Sequence, residues 1–221
     1  MNDKKICFIV CVNNDMYIDE CVYYIRNLEI PSEYEIDIIT VQDAGSMTSG
    51  YNAAMQESDA KYKIYIHQDV FLTKRDMIYD ILRIFKDSSI GMIGLIGTQK
   101  LPDDGCMWHG KRVGRIYTNN ILSSKEFIAS EDNEKPYMQV EAVDGLFMAT
   151  QYDITWREDL FTGWDFYDVS QSQEFLEAGY KIVVPYMDKP WCVHDEGFLN
   201  LDRYEEFRKI FLEEYRRGNN H

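Results

Sequence analysis

The sequence has no apolar run approaching the ~20 residues that a membrane-spanning helix requires, so none of its 221 residues is expected to cross a bilayer as a helix. The early run from Ile6 to Val12 is short, lacks a small-residue cleavage site and gives way to Asn13 and Asn14, which reads as a first strand and not an export signal. Cations are scarce: Lys and Arg total 23 against 38 Asp and Glu, a formal charge of −15. Nucleic acid and anionic membrane surfaces both need their phosphates neutralised, so neither is expected as the main partner. A phosphorylated ligand would require a local cation. CxxC spacing is missing too. Cys7, Cys11, Cys21, Cys106 and Cys192 are an odd set, mostly in apolar or helical surroundings where a reduced thiol packs as a small hydrophobe. That excludes a structural zinc and points to a cytoplasmic location. Internal repeats and low-complexity tracts are absent.

What is present is an ordinary globular composition, 45% hydrophobic and 28% charged. A single domain over 1–221 is expected. The continuous apolar run Ile6–Val12 is the pattern of a central strand buried on both faces. Asp15 can cap a helix whose apolar residues Ile18, Cys21, Val22, Ile25 and Leu28 fall at helical spacing until Pro31. Glu35–Val41 reads as a second strand, Asp43–Ser46 as a turn, and Ser49–Glu57 as a helix. Lys63–Val70 is a third strand. Thr73 can cap a helix through Phe85, and Gly91–Gly97 is a fourth strand. This order predicts a doubly wound, mostly parallel sheet flanked by helices, an α/β fold. The rhythm then breaks. Thr98–Tyr137 is a long polar excursion with one hairpin, expected to be more mobile than the sheet. Val140–Ala149 is a strand centred on Asp144-Gly145, Asp168–Ala178 a helix ending at Gly179, and Tyr180–Pro185 a short edge strand. Leu201–Arg217 closes the chain as an amphipathic helix with Tyr204, Phe207, Phe211 and Tyr215 on one side.

The strand Lys63–Val70 organises the rest, because it ends in His67 and Asp69, placed on one side of the chain by alternation. In open α/β sheets, ligands bind beyond the carboxyl ends of the strands. An imidazole and a carboxylate there can hold a divalent ion, or they can cap the next turn. Asp144 lies between apolar Val143 and Leu146, where an unpaired carboxylate would be costly, so it is expected to have a partner.

In that order the segments resemble the nucleotide-sugar glycosyltransferases of the GT-A fold, the inverting family-2-like group, along roughly residues 5–195. "FIVCVNN" looks like the group's opening strand and Asn, and "IITVQDAGSM" like its nucleobase-contacting turn. "SGYNAAMQESDAKYKIYIHQDV" is similar to the helix and strand that end in the DxD metal motif, and "EAVDGLFMA" to the strand after the acceptor-side loop. "WDFYDVSQSQEFLEAGYKIVVP" is similar to the segment that carries the catalytic acid. The departures are His67 at the first DxD position, Tyr167 in place of the Glu before the base, and Thr48–Tyr51 where a basic residue usually precedes Asn52. A QxxRW-type motif is absent, which favours single-sugar transfer over polymer synthesis.

The resemblance implies a nucleotide-binding half over 1–97, an acceptor-side half over 98–200 and a terminal helix over 201–217. It implies a nucleotide-sugar donor contacted by Asn13, Asp43, Asn52, His67 and Asp69, and a carbohydrate or glycolipid-type acceptor. Mn²⁺ or Mg²⁺ would sit on Asp69, with His194 as second ligand; His194 is otherwise a turn residue bonded to Asp195. His67 either joins the metal or hydrogen-bonds the phosphate. Asp168 is the expected base of an inverting displacement, or a plain helix cap, and Asp165 is its competitor. Trp108, His109 and Trp164 can stack on sugar rings, or serve the core, and Asp144 can meet a sugar hydroxyl. Two rival readings remain: a catalytically degenerate nucleotide-binding or regulatory domain of this fold, and a metal-dependent phosphohydrolase using His67, Asp69, His109 and His194.

Overall fold

The structure, a computed structural model, describes residues 1–118, 124–127, 135–195, 197 and 201–216. The chain opens with β1 (Asn2–Val12), α1 (Asp15–Arg26), β2 (Glu35–Gln42), α2 (Met47–Glu57) and β3 (Ala60–Ile66). β1 pairs in parallel with β2 on one side and β3 on the other, which explains its unbroken apolar run: Ile6 to Val10 have almost no exposed surface. The α1 cap is Asn14, one residue before the expected Asp15; its side chain accepts from the backbone N–H of Met16 at 3.0 Å and of Tyr17 at 3.4 Å. α2 begins with a reciprocal capping box between Ser46 and Ser49. Gly50 lets this helix press on the sheet, since a Cβ there would lie 2.7 Å from Cys11 Sγ.

β4 (Val70–Leu72), α3 (Met77–Ile84), β5 (Ile90–Gly94) and β6 (Ile96–Thr98) follow. Here the chain departs from expectation. The run Lys63–Val70 is not one strand: β3 stops at Ile66, His67–Asp69 turn, and β4 belongs to a second sheet. Gly91–Gly97 likewise divides at Leu95 into β5 and β6, in different sheets. Thr73 does not cap α3, because the N–H groups of Thr73 and Lys74 both donate to Trp191 C=O, at 2.8 and 3.2 Å, and hold the chain extended there.

A 3₁₀ turn at Met107–His109 leads to the antiparallel hairpin β7 (Arg112–Thr118) and β8 (Ser124–Phe127), the one hairpin expected in the excursion. Residues 119–123 and 128–134 of that stretch lie outside the described residues. Val140–Ala149 becomes three strands, β9 (Tyr137–Val140), β10 (Ala142–Val143) and β11 (Phe147–Thr150), with Asp144–Leu146 forming a turn. α4 (Tyr167–Glu177), β12 (Lys181–Pro185), β13 (Cys192–His194) and α5 (Tyr204–Tyr215) complete the order.

The large sheet runs β2-β1-β3-β11-β5-β12-β9. β2, β1, β3, β5 and β12 share one direction, while β11 is antiparallel to both its neighbours and separates β3 from β5. The sheet is mostly parallel, but not the unbroken parallel series that the helix and strand order suggested. β12 is no edge strand either, because β9 covers its outer side. The small sheet runs β10-β6-β7-β13-β4, with β8 alongside β7. The chain crosses between the two sheets at His67–Asp69, Leu95, Glu141 and Asp144–Leu146.

Helix α5 packs through Phe207 and Phe211, both fully buried. Phe211 and Tyr204 close on Phe166, ring centroids 5.5 and 4.9 Å apart, and Arg157 bonds Glu214 at 2.8 Å. All five cysteines are free and buried. No helix among the described residues is long and apolar enough to cross a membrane.

Candidate active site

Two of the crossings between sheets meet at the carboxyl end of β3. His67 N–H donates to Leu146 C=O at 3.1 Å, joining the first crossing to the turn of the second. Gln68 fixes the end of β1: its Oε1 accepts from the N–H of Asn13 and of Asn14, each at 3.0 Å, and its Nε2 donates to Asn13 Oδ1. β4 then pairs antiparallel with β13, which sets His194 opposite Val70 and lets Asp195 N–H donate to Asp69 C=O at 2.9 Å. By this route a residue 125 positions after Asp69 arrives beside it.

His67, Asp69 and His194 each present one ligand atom, all within 4.8 Å of one another. Asp69 Oδ1 lies 3.6 Å from His194 Nε2 and 3.9 Å from His67 Nδ1. This oxygen is buried and has no hydrogen-bond partner among the described residues. A buried carboxylate oxygen without a hydrogen-bond partner, facing two imidazole nitrogens, is a donor set that a divalent cation could join. An ion about 2.1 Å from each ligand sets neighbouring ligands roughly 3 Å apart and opposite ones roughly 4 Å apart, so the donor set fits a divalent metal. Burial acts to raise Asp69, but the two imidazoles outweigh it and hold its carboxyl below the ordinary value. Burial, reinforced by His194, pushes the His67 imidazole down, which favours the neutral, ligating form.

Two carboxylates lie nearby: the charge of Asp144 acts on both His67 and Asp168. Asp144 Oδ1 accepts from Leu146 N–H at 2.9 Å, and Asp144 N–H donates to Ile96 C=O at 2.9 Å, so the partner expected for this residue is its own turn. Asp168 stands in the first turn of α4. Its Oδ2 accepts from Gly145 N–H at 3.0 Å and its Oδ1 from Val169 N–H at 2.8 Å. Burial first, and then the charge of Asp144, push the Asp168 carboxyl up to about 7, against the pull of those donors. Phe166, directly before α4, has φ 60°, a left-handed backbone that a bulky residue rarely adopts. That kink turns Tyr167 and Asp168 together toward the site. Tyr167 Oη hydrogen-bonds His67 Nε2, and the space its ring fills exists because residue 145 is glycine: a Cβ there would lie 2.0 Å from the hydroxyl.

The other sequence candidates are placed as follows. Asp43 is exposed in a turn with φ 53°, after β2, and Asn13 is exposed at the end of β1. Asn52 is buried, its amide donating to Trp156 C=O at 2.9 Å and accepting from Trp156 N–H at 2.9 Å. Asp165 is half-buried and raised by that burial, with Arg203 opposing. Trp164 stays exposed, and Trp108 has the Arg112 guanidinium 5.9 Å from its ring centre. His109 Nδ1 pairs with Asp104 Oδ2 at 2.6 Å and is not in the triad, which separates it from the phosphohydrolase grouping. Sequence reading passed over Gln68 and Gly145 and gave Tyr167 no part. The contacts of Tyr167 run across 100 positions and leave no local pattern.

A family profile described as a glycosyltransferase-like family matches residues 7–215. No curated protein matches the chain. Among solved structures, GalNAc-T7 with UDP, GalNAc and Mn²⁺ is similar at a TM-score of 0.67 and 11% identity over 96% of this chain and 48% of that one. The mannosyltransferase PcManGT from Pyrobaculum calidifontis, in complex with GDP-Man and Mn²⁺, aligns at 0.58 and 12%, over 96% of this chain and 62% of its own. TarS from S. aureus aligns at 0.58 and 12%, over 95% of this chain and 39% of that one. The chain thus spans between 39% and 62% of the length of these structures, and the likeness is one of fold, the GT-A fold.

Proposed function

The chain belongs to the glycosyltransferase-like family, and on that premise we propose that it moves a single sugar from a nucleoside-diphosphate sugar to an acceptor hydroxyl. The observation that carries this reading is that one turn, Asp144–Leu146, joins a cation-ready triad to a carboxylate pushed up to about 7: Leu146 C=O accepts from His67 N–H and Gly145 N–H donates to Asp168. Asp69 and His194 would hold a divalent cation, whose charge would offset the negative charge of the departing diphosphate. Mn²⁺ suits this donor set better than Mg²⁺, since imidazole nitrogen favours the transition ion.

Asp168 takes the acceptor proton. A base is most effective when its pKa lies near the working pH, and this carboxyl sits there because it is buried beside Asp144. Gly145 N–H and Val169 N–H hold its two oxygens, which fixes where the acceptor hydroxyl must approach. A base acting on the face opposite the leaving group gives an inverted product. Asp165, the competitor, has Arg203 against it and lacks the bond to the Asp144 turn. The donor class is supported by the complexes of the similar structures, with GDP-Man in one and UDP-GlcNAc in another. Exposed Trp108 and Trp164 offer flat apolar faces for a carbohydrate or glycolipid-type acceptor. Five unpaired thiols suit a reducing compartment such as the cytoplasm.

The test is a calorimetric titration of nucleoside diphosphates with Mn²⁺ and with chelator, followed by transfer assays with the anomeric configuration read by NMR. Mn²⁺ is expected to tighten nucleotide binding, and Asp69→Ala to abolish that gain. Equal affinity with and without Mn²⁺ in the parent would refute the metal assignment. Nucleotide binding without transfer to any acceptor would favour the degenerate nucleotide-binding domain.

A further inference from the structure

Tyr167 gives the proposed reaction no group of its own, yet it is almost fully buried at the centre of the site and bonded to the His67 imidazole. Its ring lies against Tyr51 and Trp156, with centroids 6.1 and 6.3 Å away, and both of those rings are themselves fully buried. Gly145 closes over the hydroxyl so tightly that no side chain fits between them. A tyrosine held on three sides has little freedom at its tip, so whatever it bonds is held as well. The atom it bonds is His67 Nε2, while His67 Nδ1 faces Asp69 Oδ1.

We propose that Tyr167 is a positioning residue which makes His67 a third metal ligand, through Nδ1, beside Asp69 and His194. The two ring nitrogens of a neutral imidazole have opposite roles: one carries the proton and the other the lone pair. With Nε2–H donating to the tyrosine oxygen, the lone pair is on Nδ1, directed at the space next to Asp69 Oδ1. A hydroxyl accepts this bond without adding charge. The result is a donor set of two imidazoles and one carboxylate that binds its metal before any nucleotide arrives.

The inference rests on the metal reading given above, and the experiment separates the two. Mn²⁺ affinity is measured without nucleotide, by the loss of the free-ion EPR signal on titration, for the parent, Tyr167→Phe, His67→Ala, the double variant and Asp69→Ala. Tyr167→Phe keeps the ring and its packing and removes only the oxygen. It is expected to weaken Mn²⁺ binding about tenfold, the lower end of what loss of a ligand-orienting partner does, with the melting temperature of the metal-free protein nearly unchanged. In the His67→Ala background the same change should add nothing, because the imidazole it orients is gone. Parental Mn²⁺ affinity in Tyr167→Phe, with Asp69→Ala still defective, overturns the positioning role and leaves the metal site standing. An equal loss from Tyr167→Phe with and without His67 also overturns it, since the effect would then be one of packing. Parental affinity in Asp69→Ala overturns the metal reading and this inference together.

Discussion

Asp168, the proposed base, is buried beside Asp144, and that burial raises its carboxyl. Replacing it by Asn should leave nucleotide affinity intact and slow transfer by about 10²–10⁴-fold, the usual contribution of a positioned base. In the parent, transfer should rise with pH through an inflection near the value of about 7 to which burial and Asp144 bring this carboxyl. Stability moves the other way. The folded chain keeps the Asp168 proton up to about 7, while an unfolded chain releases it near 4. The stabilisation from that proton is complete below the unfolded value and is lost as pH rises through the folded one. Asp168→Asn cannot ionise, so its melting temperature should improve relative to the parent between pH 5 and pH 8. A difference that stays constant across that range would mean an ordinary carboxyl, and the base assignment would lose its electrostatic support.

At the scale of elements, the site depends on a helix that contributes no group to it. Phe166 keeps its left-handed φ of 60° because its ring is clasped by Tyr204 and Phe211 of α5, and this kink aims Tyr167 and Asp168. Phe211→Leu, a modest change of shape costing about 1 kcal/mol, should therefore lower transfer roughly tenfold, a fraction of the 10²-fold that a misplacement of about 1 Å brings. Unchanged turnover in a correctly folded Phe211→Leu protein would show that α5 only covers the core. Sequence periodicity revealed α1, α2, α4 and α5 within a few residues, since each buries one stripe, as Cys21 and Ile25 do in α1 and Phe207 and Phe211 in α5. It could not reveal the crossings between sheets. β3 and β4 are both apolar and extended, so Lys63–Val70 reads as one strand although its two ends pair with different partners. The insertion of β11 between β3 and β5 is a long-range choice that residues near Phe147 do not announce. Asp69 was legible as the polar tip of an apolar segment and Asp144 as a carboxylate between apolar neighbours, whereas Asp168 was reached through the family resemblance. The bond between His67 and Tyr167 was not, because neither residue carries a mark of the other.

For the molecule as a whole, two sheets meeting along crossings of a single chain mean that the site has no rigid element to itself. Its parts belong to the His67–Asp69 turn, β13, α4 and the Asp144 turn, and it exists only while both sheets are in register. The distribution of cysteines allows that to be followed. Cys7 and Cys11 lie in β1, Cys21 in α1, Cys106 just before the 3₁₀ turn and Cys192 in β13, two residues from His194, all buried and unpaired. Burial pushes the Cys11 and Cys21 thiols up to about 12 and raises Cys7 and Cys192 as well, so none of these four offers a reactive thiolate while folded. Reaction with a chromogenic disulfide therefore has to wait for local or global opening, and each cysteine becomes a clock for its own neighbourhood. Mass-resolved labelling should find Cys192 modified well before Cys7, because β13 is a three-residue strand while β1 lies between two parallel neighbours. Mn²⁺ bound at His194 should slow Cys192 and leave Cys7 almost unchanged. Equal slowing of both would mean that the two sheets open only together, and the protein would then carry, in four silent sulfurs, a record of its own cooperativity.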